Sequence, residues 1–202
     1  MAYRDFTWPK VTKQFQLVID ERRDLFATVP EVAPSEHLRT TLAEYVPLAL
    51  AISTEKARSE LMIAPVLVEV RRIVDRRIGL FSGVDFTVDP AQGLNGVCDF
   101  LISRSPEQLF IRAPVVAIVE AKNENVKAGL AQCSAEMIAV QLFNAREETG
   151  VTTVYGVVTT GDIWKFLRLE GTTISIDFAV YHIERVGKIL GILLHMVGHH
   201  QP

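Results

Sequence analysis

The sequence predicts an α/β protein, a mixed β-sheet flanked by helices. Short β-branched runs recur at 80–88, 97–103, 110–122, 151–159, 163–169 and 172–178, separated by turn-rich segments. Segments of helical period precede this block, interrupt it and follow it. The interrupting segment, 126–148, is long enough to carry a parallel crossover between the strands on either side of it.

Each element has a local reason. Residues 1–53 are expected to form an N-terminal extension with short helices packed on the core; they mix charge and aromatics with Pro9, Pro30 and Pro34. A helix or strand is expected near 15–26. Ser35 can cap a short helix over 36–46. The main domain is expected over 54–202. Ser53 or Thr54 caps its first helix, 55–75, whose apolar side carries Leu61, Met62, Val66, Val68 and Ile73. Pro65 removes a backbone donor there and should kink or divide that helix. From Gly79 the pattern turns to strands. Gly150 ends the 126–148 helix, in which Leu130, Cys133, Met137 and Val140 keep helical spacing. A last helix is expected over 181–197.

Composition narrows the classes. A chain of 202 residues, 49% hydrophobic and 22% charged, can bury a core without disulfide or metal staples. The formal net charge is −3, so a nucleic-acid partner would need a local basic patch. Cys98 and Cys133 have no zinc or redox spacing and read as buried free thiols of a cytoplasmic protein. No apolar signal segment opens the chain. The run 189–197 is too short to span a bilayer; it reads as a helix docked on the domain or on a second copy, which makes a homodimer an expectation. His199 and His200 read as tail rather than metal ligands.

The chemistry concentrates at Glu120-Ala121-Lys122. Five apolar residues ending in this triplet read as a buried central strand. Residues two apart on a strand share a face, so an acid and an amine leave the strand end together. Such charges are costly to desolvate unless paired or bound to an ion. Asp99 interrupts the apolar strand before it. If the two strands are neighbours, Asp99 stands beside Glu120, and two carboxylates so placed call for a cation. Oxygen donors, with the Ala121 carbonyl as a further ligand, suit Mg²⁺ or Mn²⁺. Lys122 can then hold an anionic oxygen. Glu60, on the helix before the sheet and one turn after Lys56, can add an acid. Gln132, on the helix after the triplet, can orient a water or phosphate oxygen.

Together these residues resemble the PD-(D/E)XK nuclease superfamily over about 54–170. The resemblance implies a restriction-endonuclease-like fold and metal-dependent hydrolysis of phosphodiesters, usually in DNA. It implies Asp99 and Glu120 as metal ligands, Lys122 as the catalytic lysine, Glu60 as the helical acid and Gln132 as the accessory amide. Cys98 stands where the name pattern has proline, and Glu136, not a tyrosine, follows Gln132 by four residues. The alternative is an inactive nuclease-fold module for nucleic-acid binding or assembly.

Plainer readings compete at each position. Glu120 and Lys122 can be a surface pair, Asp99 a turn residue, and Glu60 and Gln132 ordinary helix residues. Arg71, Arg72, Arg76 and Arg77 fit a solvated helix end better than a phosphate track. Trp164 fits sheet packing better than base stacking.

Overall fold

Every residue of Val115–Ala121 is buried, and this strand lies inside the sheet with neighbours on both sides. The computed structural model describes residues 1–199; His200 lies outside the described residues. In chain order the elements are α1 (Trp8–Gln14), β1 (Val18–Asp20), α2 (Glu36–Ile52), α3 (Glu55–Arg58), a π-helical turn (Ser59–Ile63), α4 (Ala64–Ile73), β2 (Gly79–Asp85), β3 (Val97–Ser103), β4 (Val115–Ala121), α5 (Val126–Arg146), β5 (Thr153–Thr159), β6 (Ile163–Glu170), β7 (Thr173–Ile176), β8 (Tyr181–His182) and α6 (Val186–Met196).

The fold is α/β, with one mixed eight-stranded sheet in the order β1-β7-β6-β5-β4-β3-β2 and β8 beside β6. Helix α5 makes the crossover that sequence period and length anticipate, because β4 and β5 are parallel. The β1–β7 pair is parallel too, whereas β2–β3, β3–β4, β5–β6, β6–β7 and β6–β8 are antiparallel. Alternation along the strands divides the core in two. Phe100, Val119, Ala121 and Phe166 pack against α2, α4 and α6. Leu101, Ile118, Val158 and Leu167 pack against α1 and α5.

Several elements depart from the sequence reading. Residues 1–53 include β1, which pairs with β7 at one edge of the sheet. Helix α2 continues past residue 46 through Pro47 to Ile52. Pro47 and Ala43 are both exposed, so water can take the Ala43 carbonyl that the missing N–H leaves open. The helix expected at 55–75 is divided as Pro65 requires. Pro65 cannot donate within the helix, and just before it the Ala64 N–H reaches back to the Ser59 carbonyl, which opens one π turn. Strand β4 starts at Val115, not 110; the preceding loop leaves Leu109 and Phe110 exposed. The last helix starts at Val186, after β8 and a short 3-10 turn. Its apolar residues 189–194, from which a dimer contact is expected, pack inside the chain's own core. Among the described residues no helix is long and apolar enough to cross a membrane.

Candidate metal and catalytic site

Asp99 is the point at which β3 lets go of both neighbours. Toward β4, pairing ends at Phe100 with Val119. Toward β2, pairs are formed at Ser82–Phe100 and Val84–Cys98, but not between Gly83 and Asp99. Gly83 has φ 61°, a conformation that glycine adopts at little cost, and it bends β2 away at this point. The Asp99 carboxylate replaces a ladder partner: its Oδ2 accepts the Ala121 N–H at 2.8 Å. A cavity of about 280 Å³ opens here, lined by Glu55, Lys56, Ser59, Glu60, Ser82, Gly83, Asp99 and Ala121.

Glu120 points to the other side of β4, toward α5. It is 1% exposed. Its Oε1 accepts a hydrogen bond from Lys122 Nζ, whereas Oε2 is buried without a partner. Burial first, and the Asp99 charge second, push the Glu120 carboxyl up to about 8; Lys122 pulls in the opposite direction. Burial lowers the Lys122 ammonium, but Glu120, with help from Glu55 and Asp99, outweighs it and leaves the amine above its ordinary value. The pair therefore sits in a strongly negative environment that a cation would relieve.

Asp99 is thus tied to Ala121 and Lys122 to Glu120, and the Asp99 charge links the two pairs across β4. Glu60 and Gln132 stand apart on opposite flanks. Glu60 lines the cavity with Asp99, but its carboxylate is tied to Lys56 Nζ at 2.8 Å and is well exposed. Gln132 lines a different hollow, with Tyr3, Arg4 and Gly96. Its amide donates to Glu136 Oε1 at 3.1 Å, so any influence it has on Glu120 passes through Glu136.

Two residues escaped the sequence reading. Glu55, in the first turn of α3, lines the cavity and acts electrostatically on both Glu120 and Lys122. A first-turn acid after a capping threonine is the usual complement to a helix dipole, so nothing local marks it. Glu136, on α5, is fully buried with Oε2 unpartnered. Burial, then the Glu120 charge, holds its carboxyl well above the usual range. Its only signal in sequence is an acid among the apolar positions of a buried helix.

The donor set fits a hard divalent cation. An orphaned, buried carboxylate oxygen on Glu120, the Asp99 carboxylate whose charge acts on it and the Ala121 carbonyl are all oxygen donors of the kind that Mg²⁺ and Mn²⁺ take with water. Among the described residues, no group of three or more acid, histidine or cysteine side chains is gathered for a metal. The side-chain donors here are therefore two carboxylates and not a closed cage.

The other candidates have structural employment. Arg72 binds Glu69 through two nitrogens, each at 2.8 Å. Arg71 and Arg77 donate to the Ile78 and Val74 carbonyls at the end of α4. Trp164 is fully buried and donates to the Gly161 carbonyl at 2.8 Å. Cys98 and Cys133 are free and buried, and burial pushes both thiols up.

No protein-family model matches this chain, and no curated protein matches it.

Proposed function

We propose that this protein is a metal-dependent nuclease of the PD-(D/E)XK kind that hydrolyses phosphodiester bonds, with DNA as the substrate. The observation that carries this reading is the unpartnered, buried Glu120 oxygen, on a carboxyl that the charge of Asp99 pushes up, next to the place where β3 parts from β4. Two carboxylates in that position are costly without a cation between them. Asp99, Glu120 and the Ala121 carbonyl would hold Mg²⁺ or Mn²⁺. When bound, the ion supplies a Lewis acid that activates water and neutralises phosphate charge.

The chain's own residues account for the rest. Lys122 keeps its ammonium at the strand end, anchored by Glu120, where it stabilises negative charge developing on a phosphoryl oxygen. Glu55 and Glu60 line the open cavity and can order solvent beside Asp99. Glu136, supported by Gln132, fills the buried flank.

The test is cleavage of supercoiled plasmid and of a single-stranded oligonucleotide with Mg²⁺, Mn²⁺ or EDTA. Cleavage that needs the ion and is lost in Lys122→Ala supports the reading. Cleavage that survives EDTA refutes it. DNA retention with neither cleavage nor Mn²⁺ uptake would instead mark a binding module that keeps the fold without hydrolysis.

A further inference from the structure

Helix α5 opposes the Glu120–Lys122 pair, and its fourth residue is Gly129. Glycine is the poorest helix former after proline, and nothing about the turn requires it: Gly129 does not have the positive φ that favours glycine elsewhere in the chain. The reason lies in what faces it. A Cβ built on Gly129 would lie 2.6 Å from Val158 Cγ1, 3.1 Å from Lys122 Cγ and 3.2 Å from Lys122 Cε. Two of these three atoms belong to the aliphatic stem of the lysine. The stem lies across the bare Cα of α5, and its end reaches Glu120 Oε1.

We propose that Gly129 is a positioning residue for Lys122, a notch in α5 that seats the lysine stem and so aims its ammonium at Glu120 and the substrate. A lysine side chain has four rotatable bonds and does not hold one direction unaided. Here Glu120 fixes the far end, and the notch fixes the middle. A methyl group at 129 fills the notch at the Cγ and Cε contacts, so the stem must give by a few tenths of an ångström, which loosens the seat that aims the amine at Glu120. The kinetic consequence rests on the nuclease reading above; the placement of the amine does not.

Val158 complicates the simple variant, because its contact with a new Cβ is the tightest. Gly129→Ala is therefore compared with Val158→Ala and with the double variant, in which Cγ1 is gone and only the Lys122 contacts remain. The first readout is the rate at which an amine-acylating reagent modifies Lys122 in the folded protein, followed by mass spectrometry. The second is cleavage of DNA in Mg²⁺. Relative to Val158→Ala, the double variant should label Lys122 several-fold faster. Its kcat should fall at least about tenfold with KM little changed, as a small misplacement of a catalytic group does. Labelling and cleavage equal to Val158→Ala overturn the proposal and assign Gly129 to helix–sheet packing. A double variant that no longer folds overturns it as well. Faster labelling in a protein whose wild type cleaves no DNA removes the nuclease reading and leaves the positioning role standing.

Discussion

The two flanks of β4 are built on opposite terms. On the α5 side, Glu120 and Glu136 lie in a dry wall, with the partly exposed Lys122 at its edge; two carboxylate oxygens there have no partner and both acids are pushed toward their neutral forms. On the α3 side, Glu55, Lys56 and Glu60 are exposed around a cavity, and the acid–base pair there is a helix-surface pair one turn apart. Asp99 communicates with both, through the Ala121 N–H and through its charge on Glu120, and the charge of Glu55 reaches across as well. The same residue types therefore differ in consequence. Charge is stabilised by water on one flank and is left for a ligand to stabilise on the other.

The largest effect lies on the dry flank. Lys122→Ala should lower kcat for DNA cleavage about 10²- to 10³-fold, the size of losing one preorganised donor. It should also strand the buried Glu120 without its partner. Cleavage within a few-fold of wild type in a plasmid-nicking assay would place the chemistry elsewhere.

Next comes the pH dependence of stability without metal. A carboxyl raised to about 8 in the folded state, against about 4.3 unfolded, holds an extra proton when folded. Its stabilising contribution is complete below the unfolded value and is lost as pH rises through the folded one. The melting temperature of the metal-free wild type should therefore fall relative to Glu120→Gln between about pH 5 and pH 8. The difference should reach at least about 2 kcal/mol, or roughly 4–8 °C. Mn²⁺ should restore more stability at pH 8 than at pH 5, because it competes with the proton. Parallel melting curves for the two proteins would show that Glu120 is not held in this way.

The dry flank was the legible one. An apolar β-branched run that ends in Glu120-Ala121-Lys122 states both burial and chemistry, because strand period fixes which side chains share a face. Asp99 was legible as an acid inside an apolar strand. The bend at Gly83 that frees it was not, since a glycine in a strand does not announce its φ. The wet flank was harder to read because its helix changes pitch. Glu60 lies one α-turn from Lys56, and that pair forms as helical spacing predicts. Glu60 itself stands in the π turn imposed before Pro65, which breaks the 3.6-residue phase. Glu55, an unremarkable first-turn acid, is the one whose charge reaches Glu120 and Lys122. Helical spacing places Gln132 on α5, but its amide serves Glu136 rather than the cavity.

A smaller effect sharpens that distinction. Glu55→Gln should weaken Mg²⁺-dependent cleavage about tenfold, as outer partners of a metal site typically do. Glu60→Gln removes only an exposed pair and should change it less than about twofold. Kinetics of the two variants side by side decide between the acids, and a larger loss in Glu60→Gln would restore it as the helical acid of the site.

The smallest expected effect concerns how Glu55 is held. Thr54 Oγ1 accepts the Ala57 N–H at 3.2 Å and caps the turn that carries Glu55. Thr54→Ala should cost about 1 kcal/mol of stability, and Thr54→Asn, which can cap as well, much less. Urea unfolding measures both. Because α3 has a single turn before the π segment, fraying it also frees Glu55, so Thr54→Ala should repeat part of the cleavage defect of Glu55→Gln while Thr54→Asn does not. If Thr54→Ala loses stability but cleaves as well as wild type, the position of Glu55 does not matter to the reaction. The open flank would then act through solvent and charge alone, and the geometric demands of the site would belong wholly to the buried side of β4.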